Sequence, residues 1–259
     1  MCNGKGSAVP KPAQGLSVSE TPGVESLYDS PMKVDILTLF PEMCESYLSA
    51  SIIGRARQSG SIEIRCYNIR DYANNKHNRV DDKPYGGGTG MVMQAQPIYD
   101  CVMDIMGGAT PPPKLIYLSP QGQTLTQPLI KQLAAEPWLL LLCGHYEGVD
   151  CRVLDELGFC EISVGDYVVT GGELPALLLT DAVSRLQPGV LPDESAFKHD
   201  SHWDGQLEHP LYTRPESWRG RQVPEVLLSG HHAQIEKWRS DEATSTTYRK
   251  RPDLIEPLE

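Results

Sequence analysis

The sequence predicts an α/β fold built on a mostly parallel sheet, and three observations predict it. Three short apolar runs, KLIYL (Lys114–Leu118), LLLLC (Leu139–Cys143) and CEISV (Cys160–Val164), read as buried strands. Each run meets a glycine-bearing turn: YLSPQG (Tyr117–Gly122), CGHYEGVD (Cys143–Asp150) and VGDYVVTGGELP (Val164–Pro175). Each turn leads into a segment with helical patterning. Strands alternating with helices imply a parallel sheet. Ligands bind at the carboxyl ends of the strands in such sheets. Glycine at those ends permits left-handed backbone and close approach of a ligand to the main chain.

The remaining elements follow in chain order. Residues 1–31 are rich in Gly, Pro and Ser, lack periodicity, and read as a disordered extension. The first domain, residues 32–189, opens with the strand in KVDILTLFPEMC (Lys33–Cys44). A helical pattern then runs from Glu42 to about Gln58, closed by Gly60. IEIRCY (Ile62–Tyr67) alternates and predicts a second strand. DDKPYGGGTGM (Asp81–Met91) is a glycine-rich loop, and a helix from about Pro97 to Met106 ends at Gly107–Gly108. Pro111–Pro113 stiffens the next connection. Further helices are expected near Gln127–Ala135, Val149–Leu157 and Glu173–Leu186. Residues 190–205 are polar and poor in hydrophobes, as an interdomain linker is. Residues 206–259 form a small helical domain. One helix covers His231–Arg239 with Ser229 as its N-cap, and another covers Asp241–Lys250.

Composition bounds the function. With 40% hydrophobic and 22% charged residues among 259, the chain can bury a sizeable core. No apolar stretch approaches the roughly 20 residues that span a bilayer. The N-terminus lacks a basic region followed by an apolar one, so no signal peptide is read, and the expected location is the cytoplasm. The seven cysteines are scattered and none is spaced as CxxC. That pattern fits reduced thiols and argues against a disulfide framework or a zinc site. The net charge of −11 is poor ground for nucleic-acid binding by the chain as a whole. It leaves room for a local basic patch, because field shape matters more than net charge.

Two glycine motifs are open to two readings each. YGGGTG (Tyr85–Gly90) is either a phosphate cradle or a structural turn; it matches neither GxxxxGK[ST] nor GxGxxG. TGGELP follows a strand and places Pro175 in the first turn of a helix, where proline is tolerated. It is either a ligand-contacting turn or plain punctuation. The ionisable candidates are Glu147, Asp150, Asp166, Arg185, Asp200, Glu208 and Arg214, any of which is also read as a solvated surface group. His199 and His202 lack a third partner at metal-ligand spacing, and His231–His232 flank a helix. There is no GxSxG elbow and no activated-cysteine signature.

Taken together, LFPEM (Leu39–Met43), DDKPYGGGTGM, YLSPQG, CGHYEGVD, VGDYVVTGGELPA, PGVL (Pro188–Leu191), YTRPE (Tyr212–Glu216) and SGHHAQIEKWR closely resemble the TrmD family of bacterial tRNA (guanine-N1)-methyltransferases, in the SPOUT superfamily. The motifs are collinear from about Met32 to Glu259. The resemblance implies an α/β domain tied in a deep trefoil knot and a small helical domain. Connection rules alone disfavour a knot, so that expectation comes from the resemblance. It also implies a homodimer with the active site shared between subunits. The implied reaction moves a methyl group from S-adenosylmethionine to N1 of guanosine at position 37 of tRNA.

Site roles carry over residue by residue. The general base matches Asp200 in the linker, and an arginine that stabilises charge on the base matches Arg185. Glu147 matches an acid that positions substrate or a magnesium ion. The cofactor pocket matches Tyr117, Leu118, Ser119 and Pro120 on the first motif and Gly144 on the second. On the third it matches Ser163, Val164, Gly165, Tyr167, Val169, Gly171, Gly172 and Pro175. Arg214, Arg219, Arg221, Lys237 and Arg239 are candidate phosphate contacts. His145 stands where some members have Arg, Glu208 where Asp is usual, and Val164 and Val169 where Ile and Leu are. A SPOUT enzyme acting on another atom, a tRNA-binding module without catalysis and a phosphate-loop hydrolase are the rival readings. The Asp200 linker, the intact Asp200 and Arg185, and the missing Gly-Lys-Ser/Thr stand against them in turn.

Overall fold

The computed structural model describes residues 30–193 and 196–255. The expected disordered extension falls almost entirely on residues 1–29, outside the described residues. Strand β1 (Met32–Thr38) is followed by α1 (Pro41–Leu48) and α2 (Ser51–Ser59), then β2 (Ile62–Asn68). The expected single helix over 42–58 is therefore two. The chain turns a corner between them, with Ser51 at φ 52°. Gly54 makes the corner feasible: a Cβ there would lie 2.3 Å from the Ser49 carbonyl oxygen. Gly60 ends α2 at φ 76°, the left-handed stop that glycine provides.

Short strands β3 (Asp81–Asp82) and β4 (Val92–Met93) pair antiparallel and close the base of the glycine-rich loop. Helix α3 (Ala95–Met106) leads to β5 (Lys114–Thr124) and α4 (Gln127–Ala134). Then come β6 (Trp138–Cys143), α5 (Cys151–Leu157), β7 (Cys160–Ser163) and α6 (Glu173–Ser184). The five long strands form one parallel sheet in the order β2-β1-β6-β5-β7.

The LLLLC run makes physical sense in that sheet. As the middle strand, β6 is covered on both faces, so every position is apolar. Leu139, Leu141 and Cys143 pack with Val34, Ile36, Ile116 and the α1, α2, α4 and α6 side. Leu140 and Leu142 pack with Leu37, Tyr117 and the α3 and α5 side. Burying each leucine contributes about 2 kcal/mol before entropy is counted.

YLSPQG is not a turn between strand and helix. It lies within β5, which pairs with β7 twice, first at Leu118↔Ile162 and again at Gln123↔Ile162. The intervening residues bulge from the ladder, where Pro120 loses no strand hydrogen bond. At Gly122 the two strands come so close that a Cβ would sit 2.3 Å from the Glu161 carbonyl carbon. Helix α5 starts two residues later than expected. Asp150 is its N-cap, accepting from the Arg152 N–H at 3.0 Å, and the adjacent guanidinium holds the Asp150 carboxyl below its usual pKa.

Beyond α6 the chain passes through a 3₁₀ turn (Ala196–His199). Trp203 packs on Phe197 with ring centroids 4.9 Å apart. Lys131 on α4 lies over the Trp203 ring and donates to the Trp203 carbonyl. The C-terminal part is less purely helical than expected. A hairpin of β8 (Ser217–Trp218) and β9 (Arg221–Gln222) precedes α7 (Glu225–Leu228) and α8 (His232–Lys250). The two expected helices are one, because nothing in 232–250 breaks the hydrogen-bond ladder. Ser229 does not cap it. Ser229 ends α7, donating to Val226 O and accepting from His231 N–H, and the N-cap is His231. Thr247 ties α8 back to the chain, accepting from Leu207 N–H at 2.9 Å. No helix among the described residues is long and apolar enough to cross a membrane.

The close strand approach at Gly122 generates a prediction. Gly122→Ala is expected to lower the unfolding free energy by about 3 kcal/mol or more, since backbone rather than a mobile side chain blocks the methyl. Urea denaturation followed by circular dichroism checks it; a wild-type midpoint would show that the two strands are not in this contact.

Candidate active site

A cavity of about 330 Å³ opens at the carboxyl ends of β5, β6 and β7, within the size range of small-molecule sites. Its shape follows from three backbone crossings at glycine. The Gly172 N–H donates to Gly144 O at 2.8 Å. A Cβ on Gly172 would stand 2.7 Å from Cys143 Cα, so the TGG and CGH turns meet main chain to main chain. A Cβ on Gly144 would lie 2.8 Å from the Tyr117 hydroxyl oxygen, so the missing side chain lets that ring form the wall.

The three motifs converge on this cavity. Tyr117, Leu118, Ser119, Pro120, Gly144, Ser163, Val164, Tyr167, Val169, Gly171, Gly172 and Pro175 all line it. Gly165 stands behind the lining. Its role is to turn the chain at φ 145°, with Ser163 Oγ donating to its carbonyl and accepting from its N–H. Burial and the Glu161 charge push the Tyr117 hydroxyl up from its usual pKa, so it faces the cavity as a neutral group. Burial also drives the Cys143 thiol far up, which makes it inert.

Sequence reasoning missed several groups at this site, Val168 and Glu173 among them. Val168 lies at the cavity mouth and is 82% exposed. Glu173 is 2% exposed, beneath the floor. Its Oε1 accepts from Thr38 Oγ1 at 2.7 Å, and its Oε2 lies 3.6 Å from His145 Nε2. His145 itself lines the cavity. A carboxylate in the first turn of α6 is favoured by the helix dipole. That placement was readable in GGELP; the burial was not.

Glu147 is on the cavity wall. The glycine-rich loop is stitched beside it: Glu147 N–H donates to Met91 O, Met93 N–H to Gly148 O, and Asp150 N–H to Met93 O. Gly90, at φ 103°, packs so closely that a Cβ would lie 2.4 Å from Glu147 Oε1. YGGGTG thus backs the CGHYEGVD turn.

Arg185 and Asp200 form an ion pair at 2.6 Å, both partly exposed. Arg185 is the C-cap of α6, whereas Gly172 is its N-cap. At 1.5 Å per residue, the two caps stand roughly 20 Å apart. Asp200 is therefore beside Arg185, and Glu147 is beside the cavity, but the single chain does not bring the two groups together. Among the described residues no group of three or more His, Cys, Asp or Glu converges as a metal site. Of the candidate phosphate contacts, Lys237 pairs with Asp241 and Arg239 with Glu236 on α8 itself. Arg214, Arg219 and Arg221 project from a segment, residues 211–222, in which every residue is exposed.

Comparison with known proteins gives the family. The family model described as tRNA (Guanine-1)-methyltransferase TrmD matches residues 32–257. A tRNA (guanine-N(1)-)-methyltransferase of Ruminiclostridium cellulolyticum is 55% identical over 227 residues, covering 88% of this chain and 97% of its own. The protein of the same name from Moorella thermoacetica is 55% identical over 225 residues, covering 86% of this chain and 90% of its own. That of Bacillus subtilis is 51% identical over 224 residues, covering 86% and 92%. By its sheet, its glycine-walled cavity and these relationships, the chain belongs to the TrmD family of tRNA (guanine-1)-methyltransferases.

Proposed function

We propose that this chain methylates N1 of guanosine at position 37 of tRNA, working in the cytoplasm as a homodimer whose two active sites are shared between subunits. The observation that carries the reading is the Arg185–Asp200 pair, joined to the cavity through the length of α6. S-adenosylmethionine supplies an electrophilic methyl group when bound in the cavity. The lining fits that cofactor: apolar walls, backbone polar groups and glycines that leave room for a bent ligand.

Asp200 is the general base. N1 of guanine carries a proton at neutral pH, and its lone pair becomes nucleophilic as that proton leaves. The Asp200 carboxylate accepts it. Negative charge then develops toward O6 of the base. Arg185 already touches Asp200; once the carboxylate is neutralised by the N1 proton, the guanidinium is left to balance O6. Glu147 positions the substrate or a magnesium ion at the cavity wall.

The roughly 20 Å between the caps of α6 supports the dimer. An Asp200 at one end of the helix serves a cavity at the other end only if the two belong to different subunits. The outer face of α6 is suited to a second copy. Leu174 and Leu178 are 55% and 48% exposed, and with Leu177 and Ala182 they line an apolar hollow that also takes in Tyr47 and Arg185. We read residues 206–259 as the tRNA-binding domain and 190–205 as the segment that delivers Asp200. We read the α/β domain as carrying the knotted connection that the family implies.

Three outcomes test the reading. Labelled methyl should pass from S-adenosylmethionine to an unmodified tRNA transcript with guanosine at position 37 and not to one with adenosine there; label on both would place the modification elsewhere. Asp200→Ala should lower turnover by about 10²-fold or more with cofactor affinity intact by calorimetry, and normal turnover would remove the base assignment. Gly144→Val, which fills the cavity beside Tyr117, should abolish cofactor binding. Mixed with Asp200→Ala under subunit exchange, it should recover about a quarter of wild-type activity, because half the dimers then hold one intact shared site. No recovery from mixed dimers would mean each subunit works alone.

A further inference from the structure

The β8–β9 hairpin lies outside the cavity and outside the proton transfer just described, yet it is built with care. Its two-residue turn is Arg219–Gly220, at φ 50° and 76°. Both positions are left-handed, the condition of the tight turns that suit hairpins, where Asn, Asp or Gly is favoured first. Arginine there is strained, and the strain places a guanidinium at the tip. The hairpin is fastened by Val223 N–H to Glu216 O at 3.0 Å and by Gln222 Nε2 to Ser217 Oγ at 3.1 Å. Trp218 is 59% exposed, with the Arg219 guanidinium carbon 5.1 Å from its ring centroid.

We propose that Trp218 is a stacking surface for an unpaired nucleotide of the tRNA anticodon loop, with Arg214 and Arg221 on the adjoining phosphates. The proposal rests on the reading that tRNA is the substrate. Charge complementarity selects the occupant. Residues 211–222 hold three arginines and one glutamate in a chain whose net charge is −11. A basic knuckle on an acidic protein fits a polyanion. An open indole fits a base free of its stack, which A-form stems do not offer and single-stranded loops do. Arg219 on the same ring strengthens that surface by cation–π contact.

The test uses the full chain with Trp218→Ala and Trp218→Phe, and an unmodified tRNA transcript carrying guanosine at position 37 as the probe. By fluorescence anisotropy at fixed salt, the alanine variant should bind tRNA about tenfold or more weakly, and phenylalanine should restore most of the affinity. The loss should appear in KM for tRNA, with kcat at saturating tRNA and cofactor affinity unchanged. Arg221→Ala should instead reduce the salt dependence of binding by about one phosphate contact. Wild-type tRNA affinity in Trp218→Ala overturns the proposal. So does dissociation of the alanine variant to monomer in sedimentation, which would assign the hairpin to a second copy of this chain. A wild-type protein that methylates no tRNA overturns the proposed function, whereas an active wild type beside an unaffected alanine variant overturns this inference alone.

Discussion

The hydrogen bond from Gly172 N–H to Gly144 O, 2.8 Å long, is the contact on which the rest of the site depends. It joins the turn after β6 to the turn before α6 where neither chain has room for a side chain. That contact sets where α6 begins and so the depth of the cavity, which is bounded by both turns. It also places Glu173, the first residue of α6, within reach of Thr38 at the end of β1. A hydrogen bond of that kind contributes about 1 kcal/mol, and its loss would leave a buried carboxyl oxygen without this donor. The floor of the cavity is thus held by backbone geometry first and by a buried carboxylate second.

Much of the fold was legible because the patterns were local. The four-leucine run of β6 could only be a strand covered on both faces, and Gly60 could only be a stop. The errors came from long-range pairing. The bulge inside β5 depends on where β7 lies, and no local period encodes that. The corner at Ser49–Ser51 is hidden because Gly54 inside a helical pattern looks like a weak helix position, when its role is to admit the Ser49 carbonyl. At the site, glycine spacing marked the cavity lining well, since glycine is informative wherever main chains cross. Glu173 was invisible for the opposite reason: a first-turn glutamate is common on exposed helices, and burial is a tertiary fact. The role proposed for Asp200 comes only through resemblance. A single aspartate in a polar segment carries no pattern, and its meaning comes from the arginine it meets.

Electrostatics divides the molecule in a similar way. Net charge argued against a nucleic-acid partner, and for most of the surface that argument holds. Ion pairs such as Lys237–Asp241 and Arg239–Glu236 neutralise α8 along its own length, and exposed pairs of this kind contribute little stability. The arginines of residues 211–222 are set apart from these pairs. A confined basic surface on an acidic body raises selectivity, because a polyanion that misses the patch meets repulsion elsewhere.

Helix α6 connects these parts as a rigid spacer. One end carries the glycine turn that shapes the cavity, and the other carries Arg185, which holds Asp200. A helix of this length cannot be shortened, so the base proposed at its far end does not reach the cavity of its own chain. If the two ends serve one reaction as proposed, their separation along a stiff element makes a single chain incomplete. In the proposed homodimer association is part of the chemistry, and the exposed Leu174 and Leu178 on the outer face of the same helix are apolar surface available for it. On that proposal, the element that separates the two groups within a subunit is also the one that brings them together between subunits.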